Sequence, residues 1–312
     1  MNTIKYMQFK EGDQSKFLHS VKNKSFMYWN ELATFLGVQK SMIPFYLSEK
    51  CKLPHTSFVR LVEKSEIDCA EFSFDIVSTT THGTGQVPNT CDNDLAWFIG
   101  ILLGDGHISR CNYQVIVAFH GTLELSYMTK VNALIGRLFQ KTVHERKSNS
   151  QKAVHLVLNS KAVVEFLTTF GIPAGNRINN PLNKIPETIF NNPELLKHCI
   201  RGIFDSEGGL HPRHHKAARI YISNSSPALL ESIYSALLKL GYHVQLKSTC
   251  VRLGRTSDII RFFEEIQPQN DYKLIKYNAW RKSGRVPSTS EVERYLINER
   301  KSEVSYGSGL VV

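Results

Sequence analysis

The 312-residue chain is predicted to be a mixed α/β (α+β) protein, two pseudo-symmetric αββαββα repeats preceded by a small helical domain. Three observations predict it. The segment over 95–171 can be laid beside the segment over 195–266 so that apolar helices, short alternating strands and amphipathic helices recur in one order. Each copy opens on an apolar helix that stops at an acid and a glycine, LAWFIGILLGDG in the first and LLKHCIRGIFDSEGG in the second. Ahead of both, residues 29–63 carry the helical apolar period broken by one glycine, the pattern of packed helices.

From the N-terminus, Leu32, Phe35 and Leu36 share one helical face, and Ile43 and Leu47 belong to a second segment. Small Ala33 lets the two helices approach, Gly37 makes the turn, and the second helix begins near Lys40 or Ser41. This is helix-turn-helix grammar, closed by a third helix over 57–64. Pro44 is compatible with it if Ser41 caps the second helix, since proline in a first turn forfeits little. Between 73 and 93, Ser, Thr, Gly and Pro replace the apolar period, which reads as a linker. The expected boundaries are 1–72 for the helix-turn-helix domain, 73–91 for the linker, 92–178 and 194–282 for the repeats, and 179–193 for their connector. The polar stretch 283–312 is expected to be a mobile tail.

Composition narrows the partners. Lys plus Arg number 38 against 28 Asp plus Glu, a formal charge of +10 that raises the local concentration of any polyanion, nucleic acid first. Cys51, Cys69, Cys91, Cys111, Cys199 and Cys250 form no C-x-x-C pair and stand at no zinc-finger spacing, so they are read as reduced thiols. No stretch reaches the apolar length of a membrane span and the first residues lack a signal-peptide core. A soluble, cytoplasmic protein without a membrane partner is the expectation.

Gly100 and Gly104 lie four apart on one helix face, as do Gly202 and Ser206, so two such helices can pack with backbones close together. Close packing brings the helix ends together, and Asp105 and Glu207 follow Gly104 and Ser206. Both acids would emerge at helix C-termini, where the dipole already favours cations. Two carboxylates so placed repel each other and attract a hard divalent ion such as Mg²⁺ or Mn²⁺, which keeps waters and accepts phosphate oxygens. A pair of such ions is the usual solution for phosphodiester hydrolysis. An acid at the polar end of a buried helix is the plain alternative for either copy alone; the duplication of apolar helix, small-x-x-x-small and acid-glycine favours the functional reading.

FIGILLGDG (98–106) and CIRGIFDSEG (199–208) resemble the paired motifs of monomeric LAGLIDADG homing endonucleases, a likeness covering about 92–282. The resemblance implies a saddle-shaped fold that binds double-stranded DNA, with Asp105 and Glu207 as catalytic metal ligands and the carbonyls of Gly104 and Ser206 nearby. Leu103 stands where the family often has an earlier Asp, while the second motif keeps Asp205. In that family the earlier acid commonly caps or hydrogen-bonds rather than catalyses, so its loss threatens activity little. The connector stretch GIPAGNRINNPLNKIPETIF is also similar, with Arg177 where a Lys is frequent, and Arg177, Lys184 and Lys273 are the candidates for the basic group that polarises the phosphate or its water.

DNA contact is expected from the outward strand faces. His107, Arg110, Asn112, Gln114, His144, Arg146 and Lys147 would provide it in the first repeat. Arg213, His214, His215, Lys216, Arg219, Gln245, Lys247 and Arg252 would do so in the second. Each alone could be an ordinary wet sheet residue. His211, His214 and His215 could suggest a metal, but a strand turn sets no helical ligand geometry and no Cys lies near. Gln39, Lys40, Ser41 and Lys50 of the helix-turn-helix would add flanking contacts, unless that bundle serves only packing or protein contact. The reading is therefore a monomeric, metal-dependent, site-specific double-stranded DNA endonuclease of the intron-homing kind. A transcription regulator or an intron RNA maturase on the same fold is the rival. Protein splicing is set aside, because the chain opens on Met1 and closes on Gly309-Leu310-Val311-Val312.

Overall fold

Residues 5–77, 87–147, 153–214 and 216–307 are described in a computed structural model of the chain. They divide into two units, one drawn from Met1–Val87, Phe139–Lys141 and Ser160–Thr169, the other from Pro88–Leu138, Thr142–Asn159 and Phe170–Val312.

The first unit runs β1 (Tyr6–Phe9), α1 (Asp13–Lys24), α2 (Trp29–Leu36), a 3-10 turn (Lys40–Met42), α3 (Ile43–Leu47), β2 (Leu53–Pro54), α4 (His55–Ser65) and β3 (Phe74–Val77). The expected helix pair is there: α2 ends at Gly37 in the left-handed region (φ 69°), and Pro44 sits in the first turn of α3. Gln39, not Ser41, precedes the turn that leads into α3. The unit is not all-helical, however. An antiparallel sheet of order β2-β1-β3 runs through it, so the first residues of the expected linker form a strand, Phe74 pairing with Phe9 and Val77 with Tyr6. Phe74 is held there by packing its ring on Phe9 and Phe58, at 5.4 and 5.0 Å between centroids. Residues 78–86 of that linker lie outside the described residues. The core gathers Phe9, Phe17, Leu32, Ile43, Tyr46, Phe58 and Leu61. Buried Gln14 stitches it by donating to the Tyr46 and Cys51 carbonyls and accepting from the Leu53 amide. Helix α7 (Lys161–Thr169), expected to close the first repeat, groups with this unit.

In the second unit the two repeats follow one plan. The first runs α5 (Asn93–Asp105), β4 (Gly106–Ser109), β5 (Gln114–His120), α6 (Leu125–Phe139), β6 (His144–Lys147) and β7 (Ala153–Asn159). After a connector holding α8 (Glu187–Phe190), the second runs α9 (Pro193–Glu207), β8 (Gly208–Pro212), β9 (Ala218–Ser223), α10 (Pro227–Lys239), β10 (Val244–Lys247), β11 (Cys250–Leu253) and α11 (Thr256–Glu265). Both sheets are antiparallel with matching orders, β4-β5-β7-β6 and β8-β9-β11-β10. Alternation does the sorting: Val115, Val117 and Phe119, like Ile220 and Ile222, are buried while their neighbours turn outward. Asp92 and Asn192 cap α5 and α9, accepting from the amides of Leu95 and of Glu194 and Leu195.

The tail expectation fails. Helices α12 (Asp271–Ser283) and α13 (Thr289–Gly307) follow α11, and Val292 and Leu296 of α13 are buried with Leu123 against Tyr272 and Ile275. A capping box starts α13: the Ser288 amide donates to Glu291 and the Glu291 amide to Ser288. Over 289–299 the buried positions of the helix, Val292 and Leu296, form one narrow stripe, and the remainder of that stretch is polar or exposed. Residues 308–312 lie outside the described residues. All six cysteines are free, and no described helix is long and apolar enough to cross a membrane.

Candidate metal centre and its flanking sheet faces

Helices α5 and α9 run side by side in the same direction and touch backbone to backbone. A Cβ on Gly100 would overlap the Cys199 carbonyl and one on Gly202 the Trp97 carbonyl, while one on Gly104 would lie 2.6 Å from the Ser206 Cβ. No residue larger than glycine fits these three positions, which is why the helix ends meet. Asp105 and Glu207 are the last residues of α5 and α9, so the pair is assembled from both repeats.

The electrostatics follow from that meeting. Burial pushes the Glu207 carboxyl up to about 7, and repulsion from Asp105 adds to the rise; an Asn224 hydrogen bond, then Lys273 and Arg177, pull the other way. Asp105 is pushed up to about 6, by its crowded surroundings first and Glu124 next, against Lys273 and Arg177. Asp105 is nevertheless exposed to solvent. Glu124 is thus a third carboxylate in the neighbourhood, held by the Asn270 side-chain amide at 2.7 Å and the His120 amide at 2.8 Å.

Each motif helix has its own cationic cap. Lys273 is buried and its ammonium donates to the carbonyls of Phe204, Asp205 and Ser206 at 2.6, 2.5 and 2.9 Å. Arg177 does the same for α5, donating to Leu102 at 2.6 Å and to Gly106. Burial works against both charges and the carboxylates favour them. Neither cation is spare, and together they leave both acids above their ordinary range, so the pair is not neutralised. Lys184, the third basic candidate, is exposed and does not figure among the charges acting on either acid. Asp205 is fully buried, accepting from the amides of Gln269 and Asn270 and from the Trp97 indole at 3.3 Å. It ties α9 to α5 and to the segment before α12, the hydrogen-bonding role expected for it.

Among the described residues no three His, Cys, Asp or Glu side chains cluster as a metal cage. The donor set is two repelling carboxylates and backbone carbonyls at helix C-termini, which suits a hard ion that completes its shell with water and phosphate oxygens. The Ser206 carbonyl already accepts from Lys273, so one of its lone pairs is engaged. A cavity of about 410 Å³ opens beside Glu207, lined by Gly104, His107, Arg177, Asn183 and Asn224 among others. Asn224 donates to the Glu207 Oε1 at 2.9 Å and fixes its rotamer.

The sheet registers place the expected contact residues. On the first sheet His107 lies opposite Ile116, His144 opposite Val157 and Arg146 opposite His155, all on the outward face, and Gln114 donates to Asn159 at 3.0 Å. Arg110 and Asn112 are exposed in the β4–β5 turn. Lys147 differs: it pairs with buried Val154, so it projects from the other side of the sheet despite its exposure. On the second sheet Arg219 is outward, Gln245 pairs with Arg252 and Lys247 with Cys250. Arg213, His214 and Lys216 are exposed in the β8–β9 turn, where the Lys216 carbonyl accepts from Trp280; His215 lies outside the described residues. In the other unit Gln39, Lys40, Ser41 and Lys50 are exposed. Sequence reasoning missed Glu124, Asn224 and Tyr221, the last at the centre of the second outward face.

Residues 194–267 match the model of a LAGLIDADG-like domain. Over 124 residues the chain is 30% identical to one component of the A-type ATP synthase of Pyrococcus abyssi (strain GE5 / Orsay), covering 39% of this chain and 11% of that protein. Over 170 residues it is 24% identical to the NrdEB ribonucleoside-diphosphate reductase, in its alpha chain, of Bacillus subtilis (strain 168), 50% of this chain and 15% of that protein. The chain therefore spans under a fifth of the length of these relatives. Among solved structures, the N-terminal LAGLIDADG domain of DUF199/WhiA is similar at TM-score 0.42 and 16% identity, over 59% of this chain and 88% of that one. The homing endonuclease I-DmoI in complex with DNA and Mn is similar at TM-score 0.40 and 19% identity, over 57% of this chain and 97% of that one.

Proposed function

We propose that the chain is a site-specific double-stranded DNA endonuclease of the homing type, acting as a monomer with one motif in each repeat. The observation that carries this reading is the meeting of Asp105 and Glu207, from different repeats, at a glycine-lined helix crossing where both carboxyls are raised and neither is paired off. The match of 194–267 to a LAGLIDADG-like domain supports it. Asp105 and Glu207 would hold Mg²⁺ or Mn²⁺, with the Gly104 and Ser206 carbonyls close by. Bound there, the metal would supply Lewis-acid stabilisation of the phosphodiester and of the leaving 3′-oxygen. Lys273 and Arg177 hold the two helix ends in place and set a positive field behind the acids. Asn224 orients Glu207. The outward sheet faces grip the duplex, and the α2–α3 pair contacts a flank through Gln39, Lys40, Ser41 and Lys50.

The test is cleavage or nicking of plasmid carrying the DNA that lies around the gene in a relative lacking it, with Mg²⁺ or Mn²⁺. Wild type should cut, and Asp105→Asn and Glu207→Gln should each be silent while still binding; equal cutting by all three removes the catalytic assignment. Binding without cleavage, as a transcription regulator or an intron RNA maturase, is favoured by one observation: Gln39, Lys40 and Lys50 are exposed around α3, polar and basic side chains that a cleavage centre at Asp105 and Glu207 does not require. A wild type that binds duplex or intron RNA and never nicks would decide for it.

A further inference from the structure

Superposing the repeats by register exposes a chemical difference between the two outward faces. Gly106 and Gly208 follow the two acids and pair with Val117 and Ile222. Counting back along the strands, Gln114 corresponds to Arg219 and Ile116 to Tyr221; across the ladders, Val157 corresponds to Arg252. The second face is an aromatic seat for cations. The Arg252 guanidinium lies 4.9 Å and that of Arg219 5.7 Å from the Tyr221 ring centroid, and His211 packs edge-on to it at 5.0 Å. Arg219 donates to the Tyr221 hydroxyl at 3.0 Å and the Arg252 Nε to the Cys250 sulfur at 3.2 Å. These contacts hold both side chains in place on the outward face of the sheet. Arg213 and Arg219 also converge near Gly254, where an added Cβ would lie 3.7 Å from each. No carboxylate pairs with these three arginines among the described residues.

The first face differs at its centre. Its centre is half-buried Ile116 and Ala118, with Val157 buried beside them, and its Gln114 and Asn159 already bond each other. Arg146 is the one Lys or Arg that the described register puts on it.

Resting on the DNA-binding reading above, we propose that the two repeats read half-sites of different base composition. The second repeat selects guanine through Arg252 and Arg219, because a guanidinium stacked on an aromatic ring is a rigid fork that matches the two major-groove acceptors of guanine. The first repeat selects A·T pairs at the centre of its half-site, because Ile116 and Ala118 offer apolar contact to thymine methyl groups where the second repeat has its ring-stacked arginines. The unpaired arginines also make the second repeat the source of most of the salt dependence.

The experiment is binding of the full chain, in EDTA so that nothing is cut, to a randomised duplex library, with the retained DNA sequenced. The selected sites should be rich in guanine at one end and in A·T pairs at the other. Arg252→Ala should relax the guanine end and weaken binding about tenfold to a hundredfold. Ile116→Ser should relax the A·T end and leave the guanine end unchanged. Sites with the same composition at both ends, or two variants that relax the same end, overturn the proposal. A wild type that retains no duplex overturns instead the DNA-binding reading on which it rests, and the circular dichroism of both variants, unchanged on a sheet surface, rules out unfolding as the cause of any loss.

Discussion

Replacing Gly202 by alanine puts one methyl group where the structure has no room for it. The new Cβ would lie 2.6 Å from the Ile101 nitrogen and 2.9 Å from the Gly100 carbonyl carbon, besides overlapping the Trp97 carbonyl. Ordinary contact begins near about 3.5 Å, and all three neighbours are backbone, so α5 and α9 must part by roughly 1 Å. Overpacking of a rigid site costs about 1–3 kcal/mol, and a gap of that size forfeits a quarter to a half of the dispersion along the crossing. A loss of about 3–4 kcal/mol is expected, which for a unit of this size lowers Tm by roughly 10 °C. Gly136→Ala is the matched control, since nothing lies within 4 Å of the added atom in the last turn of α6; there alanine should stabilise by up to about 0.5–1 kcal/mol. Calorimetric melting of the full-length proteins reads both. Parting the helices also separates Asp105 from Glu207, so metal-dependent cleavage should fall in Gly202→Ala even well below its Tm. An unchanged Tm for Gly202→Ala, or the same sign of shift in both variants, refutes the reasoning.

Metal-free protein should lose stability as pH rises from about 4.5 towards 7: with Asp105 raised to about 6 and Glu207 to about 7, the folded state keeps protons that the unfolded chain has released. Urea midpoints across that range check it, and the slope should flatten in Asp105→Asn/Glu207→Gln; a slope that the double variant leaves unchanged would contradict the raised values. Lys273→Met leaves three carbonyls at the end of α9 without their donor and should cost about 3 kcal/mol or more, against less than about 0.5 for exposed Lys184→Met, measured by chemical unfolding. Ending the chain before α13 uncovers Leu123 and removes buried Val292 and Leu296, a loss of about 3–5 kcal/mol in the same assay; an unchanged midpoint would mean that α13 does not pack.

What was legible in the sequence was what repeats or alternates locally. The two motif helices announced themselves through glycine spacing, because only glycine permits the contact that Gly100 and Gly202 make. The four-strand plan of each repeat followed from alternation. What was not legible depended on partners far away along the chain. β3 is four residues whose outward positions are mixed in character, and it exists because β1 supplies its hydrogen bonds. α13 was missed for its polarity, although Ser288 and Glu291 carried a capping signature that marks a helix start. At the site, counting acids found Asp105 and Glu207, yet Glu124 and Asn224 have no local pattern and reach the acids only through folding. Lys147 illustrates register: its exposure was readable, its side of the sheet was not.

Titration of Mn²⁺ into the full-length chain, with free ion followed by electron paramagnetic resonance, bears most directly on a shared cation between the repeats. Wild type should bind the ion, and Asp105→Asn and Glu207→Gln should each lose most of that binding, because each removes half of one ligand pair. If either single variant binds Mn²⁺ as wild type does, the two acids do not hold a common metal.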